Sequence, residues 1–171
     1  ERASVLDAAG AAGFESASAF HENFRQRTGL TPAAYRELGR VASFELALPA
    51  GFRSDEMAGY FGRDPEGRTE RVREGRITKA LLLEGQPVRV ELEFAAGAAR
   101  VRLHARKQHA ALVRAVHERC VRWLGLASDG ETFVRRALRT RATAALVRGR
   151  EGMRIPLATD LFEGLVWVVV G

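Results

Sequence analysis

From Val88 to Phe94 the chain alternates without a break: Val88, Val90, Leu92 and Phe94 are apolar, while Arg89, Glu91 and Glu93 are charged. A period of two places the sets on opposite faces of a strand; a helix would scatter both around its axis. Such a strand needs neighbours for its backbone and cover for its apolar face. Residues 69–74 and 76–83 read as strands before it. Ala95-Ala96-Gly97-Ala98 turns the chain into 100–105, where Val101 and Leu103 face inward. Phe44, Leu46 and Leu48 alternate with Glu45 and Ala47 ahead of Pro49-Ala50-Gly51, adding one more strand that ends in a turn. The expectation is an α+β fold: an antiparallel sheet, polar on one face and covered by helices on the other.

The covering helix is predicted over 108–124. Leu112, Val113, Val116, Cys120, Val121 and Leu124 form its apolar stripe, Arg114, His117, Arg119 and Arg122 are placed outside, and Gly125 ends it. Ser54-Asp55-Glu56 opens a short helix through Tyr60-Phe61, with acids in the first turn. Asp129 caps a further helix through Phe133, Val134 and Leu138; 149–153 reads as a loop; Asp160 starts a last apolar helix with Leu161, Leu165, Val168 and Val169.

The first residues have a different pattern. Ser4 and Asp7 have the spacing of a capping box, opening a helix over Val5–Ala12 in which Ala8, Ala9 and Ala12 are small enough for close packing. Gly13 permits a tight turn, and a second helix begins near Ser16. On it Ala17, Phe20 and Phe24 share one side, while Ser18, His21, Glu22 and Arg25 line another. Gly29 suits the left-handed residue that closes a helix, and Thr31-Pro32 reads as an N-cap followed by proline at the first helical position. Helix, glycine turn, helix is the helix-turn-helix pattern, whose second helix enters the major groove.

Composition allows this without requiring it. The 171 residues carry a formal net charge of +6, which implies either attraction to a polyanion or a solvated arginine-rich surface. Cys120 is the only cysteine, excluding an internal disulfide. The chain opens on Glu1-Arg2 with no adjacent apolar stretch of a signal peptide, and residues 164–171 are too short for the about 20 residues a bilayer span needs. The abrupt ends imply a piece of a larger protein.

Ala9, Ala12-Gly13-Phe14, Ser16, Ser18, Phe20, Phe24, Gly29, Thr31-Pro32, Tyr35 and Arg36 resemble the second helix-turn-helix of AraC-type transcription regulators. Such regulators usually carry two modules, and no first one precedes Glu1. The resemblance implies that Ala17, Ser18, His21 and Glu22 sit where base edges are touched, and Arg25, with Arg27, where the DNA backbone is. Phe44-Glu45-Leu46, Arg68-Thr69-Glu70-Arg71-Val72, 119–126, Gly152-Met153-Arg154-Ile155-Pro156 and Phe162-Glu163-Gly164-Leu165-Val166 resemble the AlkA-type 3-methyladenine DNA glycosylases. Together the two resemblances imply a bifunctional Ada-AlkA-like alkylation-response protein of bacteria, cytoplasmic and nucleoid-associated. The expected division is 1–39 helix-turn-helix, 40–148 AlkA N-terminal-like domain and 149–171 the start of a truncated helix-hairpin-helix domain.

The glycosylase resemblance implies a hairpin and an aspartate that both lie beyond Gly171, so no catalytic residue is carried over and the 171 residues are expected to be inactive. Asp160 and Glu163 read as an N-cap and a first-turn acid. His104, His109 and His117 lack a metal spacing with Cys120, which belongs to an apolar stripe and lacks the surroundings of an alkyl-acceptor cysteine. Trp123 and Trp167 read as core residues. No cofactor, metal, small-molecule ligand or membrane is expected, and the partner is double-stranded DNA, alkylated for the parent protein. The alternative is a structural domain pair whose DNA is held by the missing catalytic domain.

Overall fold

The computed structural model describes residues 4–64 and 66–170; Glu1-Arg2 and Gly171, used above, lie outside them. Three helices come first: α1 (Val5–Ala11), α2 (Ala17–Thr28) and α3 (Pro32–Glu37), followed by a short 3-10 turn at Leu38–Arg40. The sheet is built from β1 (Ser43–Ala47), β2 (Glu70–Arg73), β3 (Arg76–Leu83), β4 (Gln86–Ala95) and β5 (Ala98–Ala105), with α4 (Ser54–Phe61) inserted after β1. Helices α5 (Ala110–Trp123), α6 (Gly130–Ala137), α7 (Arg141–Val147) and α8 (Leu161–Val170) complete the chain.

The five strands run antiparallel in the order β1-β5-β4-β3-β2. Three hairpins order β2 to β5, but β1 reaches across the chain to pair with β5, Phe44 opposite Val101 and Leu46 opposite Ala99. The alternation behaves as its period requires: Val88, Val90 and Leu92 are buried, and Arg89 stays exposed. The inner face meets α5, whose Leu112, Val113, Val116 and Cys120, with Leu124 just past its end, are sealed in one core with Leu46, Val101 and Leu103. Full burial of such a side chain stabilises by about 1.5–3 kcal/mol. Phe61 of α4 meets Trp123 edge-on and closes the β2 side. Across the outer face Arg76 pairs with Glu93, Arg100 with Glu45, and Glu91 with Arg89, Arg102 and His104.

Several assignments change on folding. His117 is buried, at 5% exposure. It stands four residues after Val113 and three before Cys120, so its position belongs to the inward stripe despite its polarity. Arg119 and Arg122 are half-buried. Trp123 is a core residue, but Trp167 is 52% exposed on α8, with the Arg63 guanidinium 4.7 Å from its ring centroid. Helix α7 follows α6 where no second helix is anticipated after Leu138; Ala142, Ala144, Ala145 and Leu146 are strong helix formers. Of Ala8, Ala9 and Ala12, Ala9 alone is buried, and Ala12 falls just past the end of α1.

Candidate nucleic-acid interface

Both ends of α1 and α2 and the start of α3 are held by local signals. Ser4 and Asp7 cap α1 reciprocally, and the hydrogen bonds from Ser4 hold the Asp7 carboxyl below its ordinary pKa. Gly13 turns at φ 77°, and Ser16 Oγ accepts the Ala19 amide to begin α2. Gly29 ends α2 in the left-handed region at φ 69°, and Thr31 caps α3 with Pro32 just inside it. Gly29 also allows contact: a Cβ there would lie 3.0 Å from Leu46 Cδ2, and its carbonyl accepts the Ala47 amide at 2.7 Å. The turn that closes α2 is therefore pressed against the edge of β1.

One side of α2 is aromatic and fixed. Phe14 meets Phe20 edge-on, Phe20 lies beside Phe24, and Phe24 meets Tyr35 of α3 edge-on. Tyr35 and Phe44 then both contact the imidazole of His117, whose Nε2 hydrogen-bonds the Thr28 carbonyl at 2.7 Å. Burial lowers the His117 pKa, and this hydrogen bond only partly opposes the shift. His117 thus joins the last turn of α2 to the sheet domain, a role that its reading as an outside residue had missed.

The other side of α2 carries the predicted contacts. Ser18, His21, Glu22 and Arg25 are exposed, and Ala17 is half-buried at the start of the helix. Glu22 accepts from Gln26 Nε2 at 3.1 Å and lies 3.8 Å from Arg25 Nε, with both partners of the ion pair about half exposed. A surface pair of this kind contributes at most about 1 kcal/mol, so Arg25 can exchange it for a phosphate at little cost. Arg27 is exposed too, but two residues on it points about 200° round the helix from Arg25. Both arginines border a cleft of about 560 Å³ between α2 and the start of α6. The structure therefore assembles Ala17, Ser18, His21, Glu22 and Arg25 on one face by helical angle, with Arg27 on the far side of the helix and Glu22, Arg25 and Arg27 all bordering the cleft. Among the described residues no group of three acids, histidines or cysteines is placed to hold a metal, and no helix is long and apolar enough to cross a membrane.

A small helical module, a five-stranded antiparallel sheet and α5 behind it make up most of the molecule. Residues 43–160 match the family model of the AlkA N-terminal domain. The chain belongs to that family. Residues 1–37, ahead of the AlkA N-terminal domain, match the helix-turn-helix of bacterial regulatory proteins of the AraC family. Among solved structures, the 3-methyladenine DNA-glycosylase from Archaeoglobus fulgidus is similar, with a TM-score of 0.59 at 19% identity over 72% of this chain. The aligned part spans 42% of that glycosylase's length, and at this identity the likeness is one of fold. No curated protein sequence matches the chain.

The junction between α8 and the AlkA N-terminal domain holds the charges least legible in the sequence. Lys79 is 5% exposed on the inner face of β3 and donates to Glu70 Oε2 and Glu163 Oε1, each at 2.7 Å. Burial disfavours the Glu163 carboxylate, but hydrogen bonds from Lys79 and Thr159 outweigh it and bring its pKa below the ordinary value. Trp123 Nε1 donates to Thr159 Oγ1 at 3.0 Å, and Asp160 caps the helix by accepting the Glu163 amide. Glu163 is thus an anchor as well as a first-turn acid. The inward parity of Ile77, Lys79 and Leu81 carried the signal.

Proposed function

We propose that this chain is the DNA-binding, non-catalytic portion of a DNA alkylation-repair protein, an Ada-AlkA-like parent with 3-methyladenine DNA glycosylase activity. The supporting observation is the helix-turn-helix geometry of α2. Its aromatic side is locked through His117 to a glycosylase-type domain, while its polar side is open to solvent. In this reading α2 enters the major groove of duplex DNA. Ser18 and His21 exchange hydrogen bonds with base edges, Glu22 accepts from a cytosine amino group, and Ala17 meets a thymine methyl. Arg25 and Arg27 hold phosphates, setting position and carrying no sequence information. Base excision belongs to residues beyond the three parts 1–39, 40–148 and 149–171, and the parent works on alkylated DNA in the nucleoid.

Fluorescence anisotropy with labelled duplex across a salt series tests this. Arg25→Ala is expected to weaken binding on every sequence and to reduce the salt slope by about one. An unchanged slope counts against backbone contact at Arg25. The second reading, a structural pair without DNA binding of its own, draws on the pressing of Gly29 against Leu46. Absence of binding at low salt selects it. Release of a damaged base by these 171 residues would contradict both.

A further inference from the structure

The positive charge of this chain is unevenly spread. Residues 130–150, the α6–α7 hairpin, carry Arg135, Arg136, Arg139, Arg141, Arg148 and Arg150 against one acid, Glu131, in a chain whose net charge is +6. All six arginines are exposed. The outer sheet face, by contrast, neutralises itself through Arg76–Glu93, Arg100–Glu45 and Arg102–Glu91. Arg135 spends one hydrogen bond on Thr132 Oγ1, and none of the six is in an ion pair among the described residues.

This charge is continuous with α2. The cleft of about 560 Å³ has Arg25 and Arg27 on one wall and Arg135 on the other. Asp129 lies between: hydrogen bonds from Thr132 lower its pKa most, and both Arg135 and Arg27 lower it further. A second hollow of about 600 Å³ shares Pro49, Ala50 and Arg135 with the first and continues to Arg139. Four acids line this trough against five arginines, Arg25, Arg27, Arg135, Arg139 and Arg154. Glu22 is held by Gln26 and Asp129 caps α6, while Glu131, in the first turn of α6, lines both hollows and Glu151 lines the far one.

We propose that the α6–α7 hairpin is a second DNA-contacting surface, with Arg135 and Arg139 gripping the phosphate backbone beside the groove entered by α2. The proposal rests on the reading of α2 as a DNA-binding helix. It gives the AlkA N-terminal domain a direct part in holding the duplex, through exposed guanidiniums that need little desolvation and release a counterion for each phosphate they meet.

The test uses the 171-residue chain and a labelled duplex of about two helical turns. Arg135→Ala/Arg139→Ala is expected to weaken binding about tenfold on all sequences and to lower the salt slope by about two, in addition to the effect of Arg25→Ala. Arg73→Ala/Arg89→Ala removes the same charge from the outer sheet face and is expected to leave the slope unchanged. Both double variants alter exposed side chains, and circular dichroism checks that they fold. If the hairpin variant binds with the parental slope while Arg25→Ala lowers it, the hairpin proposal falls and the α2 reading stands. Equal losses in the two double variants reduce the effect to net charge and also overturn it. A slope that responds to Arg135 and Arg139 but not to Arg25 overturns the α2 reading, and with it the flanking arrangement.

Discussion

At the N-terminal end, α2 and α3 reach the sheet domain through apolar rings, a glycine turn against Leu46 and one hydrogen bond from His117 to Thr28. At the C-terminal end, α8 reaches it through charges, with Lys79 buried between Glu70 and Glu163. The outward faces are reversed as well. Helix α2 shows solvent a polar stripe, whereas α8 shows Leu161, Phe162, Val168 and Val169. The difference teaches how each junction responds to damage. An aromatic seam is a sum of many weak contacts, so losing one ring leaves the others in place. A buried charge cluster fails at its centre, because removing Lys79 leaves buried Glu70 uncompensated in low dielectric.

The largest effect should come from the charged junction. Lys79→Met is expected to destabilise the chain by about 3 kcal/mol in urea unfolding, because Glu70 is left buried without its partner. Glu163→Gln, at the more exposed partner, should cost clearly less. Equal costs for the two would show that the cluster is not organised around Lys79. Next comes the seam. Phe20→Ala removes a ring at the rim of the core, 9% exposed, and is expected to cost less than the about 3–5 kcal/mol of a fully sealed phenylalanine and less than Lys79→Met, with the sheet still folded by circular dichroism. If Phe20→Ala instead costs more than Lys79→Met, the contrast between the two ends breaks.

The pH response sharpens the comparison further, since each junction has a titrating group. The folded pKa of His117 lies below its unfolded value of about 6.5. Its contribution is therefore complete above that value and declines as pH falls toward the folded pKa, because the unfolded chain takes up the proton first. Glu163, depressed from 4.5, contributes above that value and loses its contribution as pH falls through the lower folded pKa. Melting temperature against pH should thus fall in two stages on acidification. His117→Gln is expected to remove the upper stage and Glu163→Gln to reduce the lower one. A smaller signal concerns Cys120, whose thiol is pushed well above its ordinary range by burial. It should resist thiol reagents in the folded protein and react once urea unfolds it, and reaction under native conditions would show that the core beside the His117 seam opens.

Much of this molecule was legible because its signals are local. Strand alternation at Val88–Phe94, the caps at Ser4, Ser16, Thr31 and Asp129, and the helix ends at Gly29 and Gly125 each act within a turn or two of chain. They hold whatever the rest does. The candidate DNA face was legible for the same reason, since Ser18, His21, Glu22 and Arg25 share a side by helical periodicity alone. Arg27 shows the limit: its helical angle parts it from Arg25, while the fold gives the two a common cleft.

Tertiary structure decided what depends on distant partners. Lys79 meets Glu70 across a hairpin and Glu163 from the far end of the chain, and no local pattern couples such positions. His117 lay on the buried stripe by spacing, but whether a polar ring can be buried there depends on Thr28, which only folding brings within 2.7 Å. The pairing of β1 with β5, the cleft between α2 and α6, and the placing of Arg25 and Arg135 along it were decided in the same way. Sequence periodicity dictates which way a side chain points; what it meets there depends on how separate elements pack, and that is a property of the whole chain.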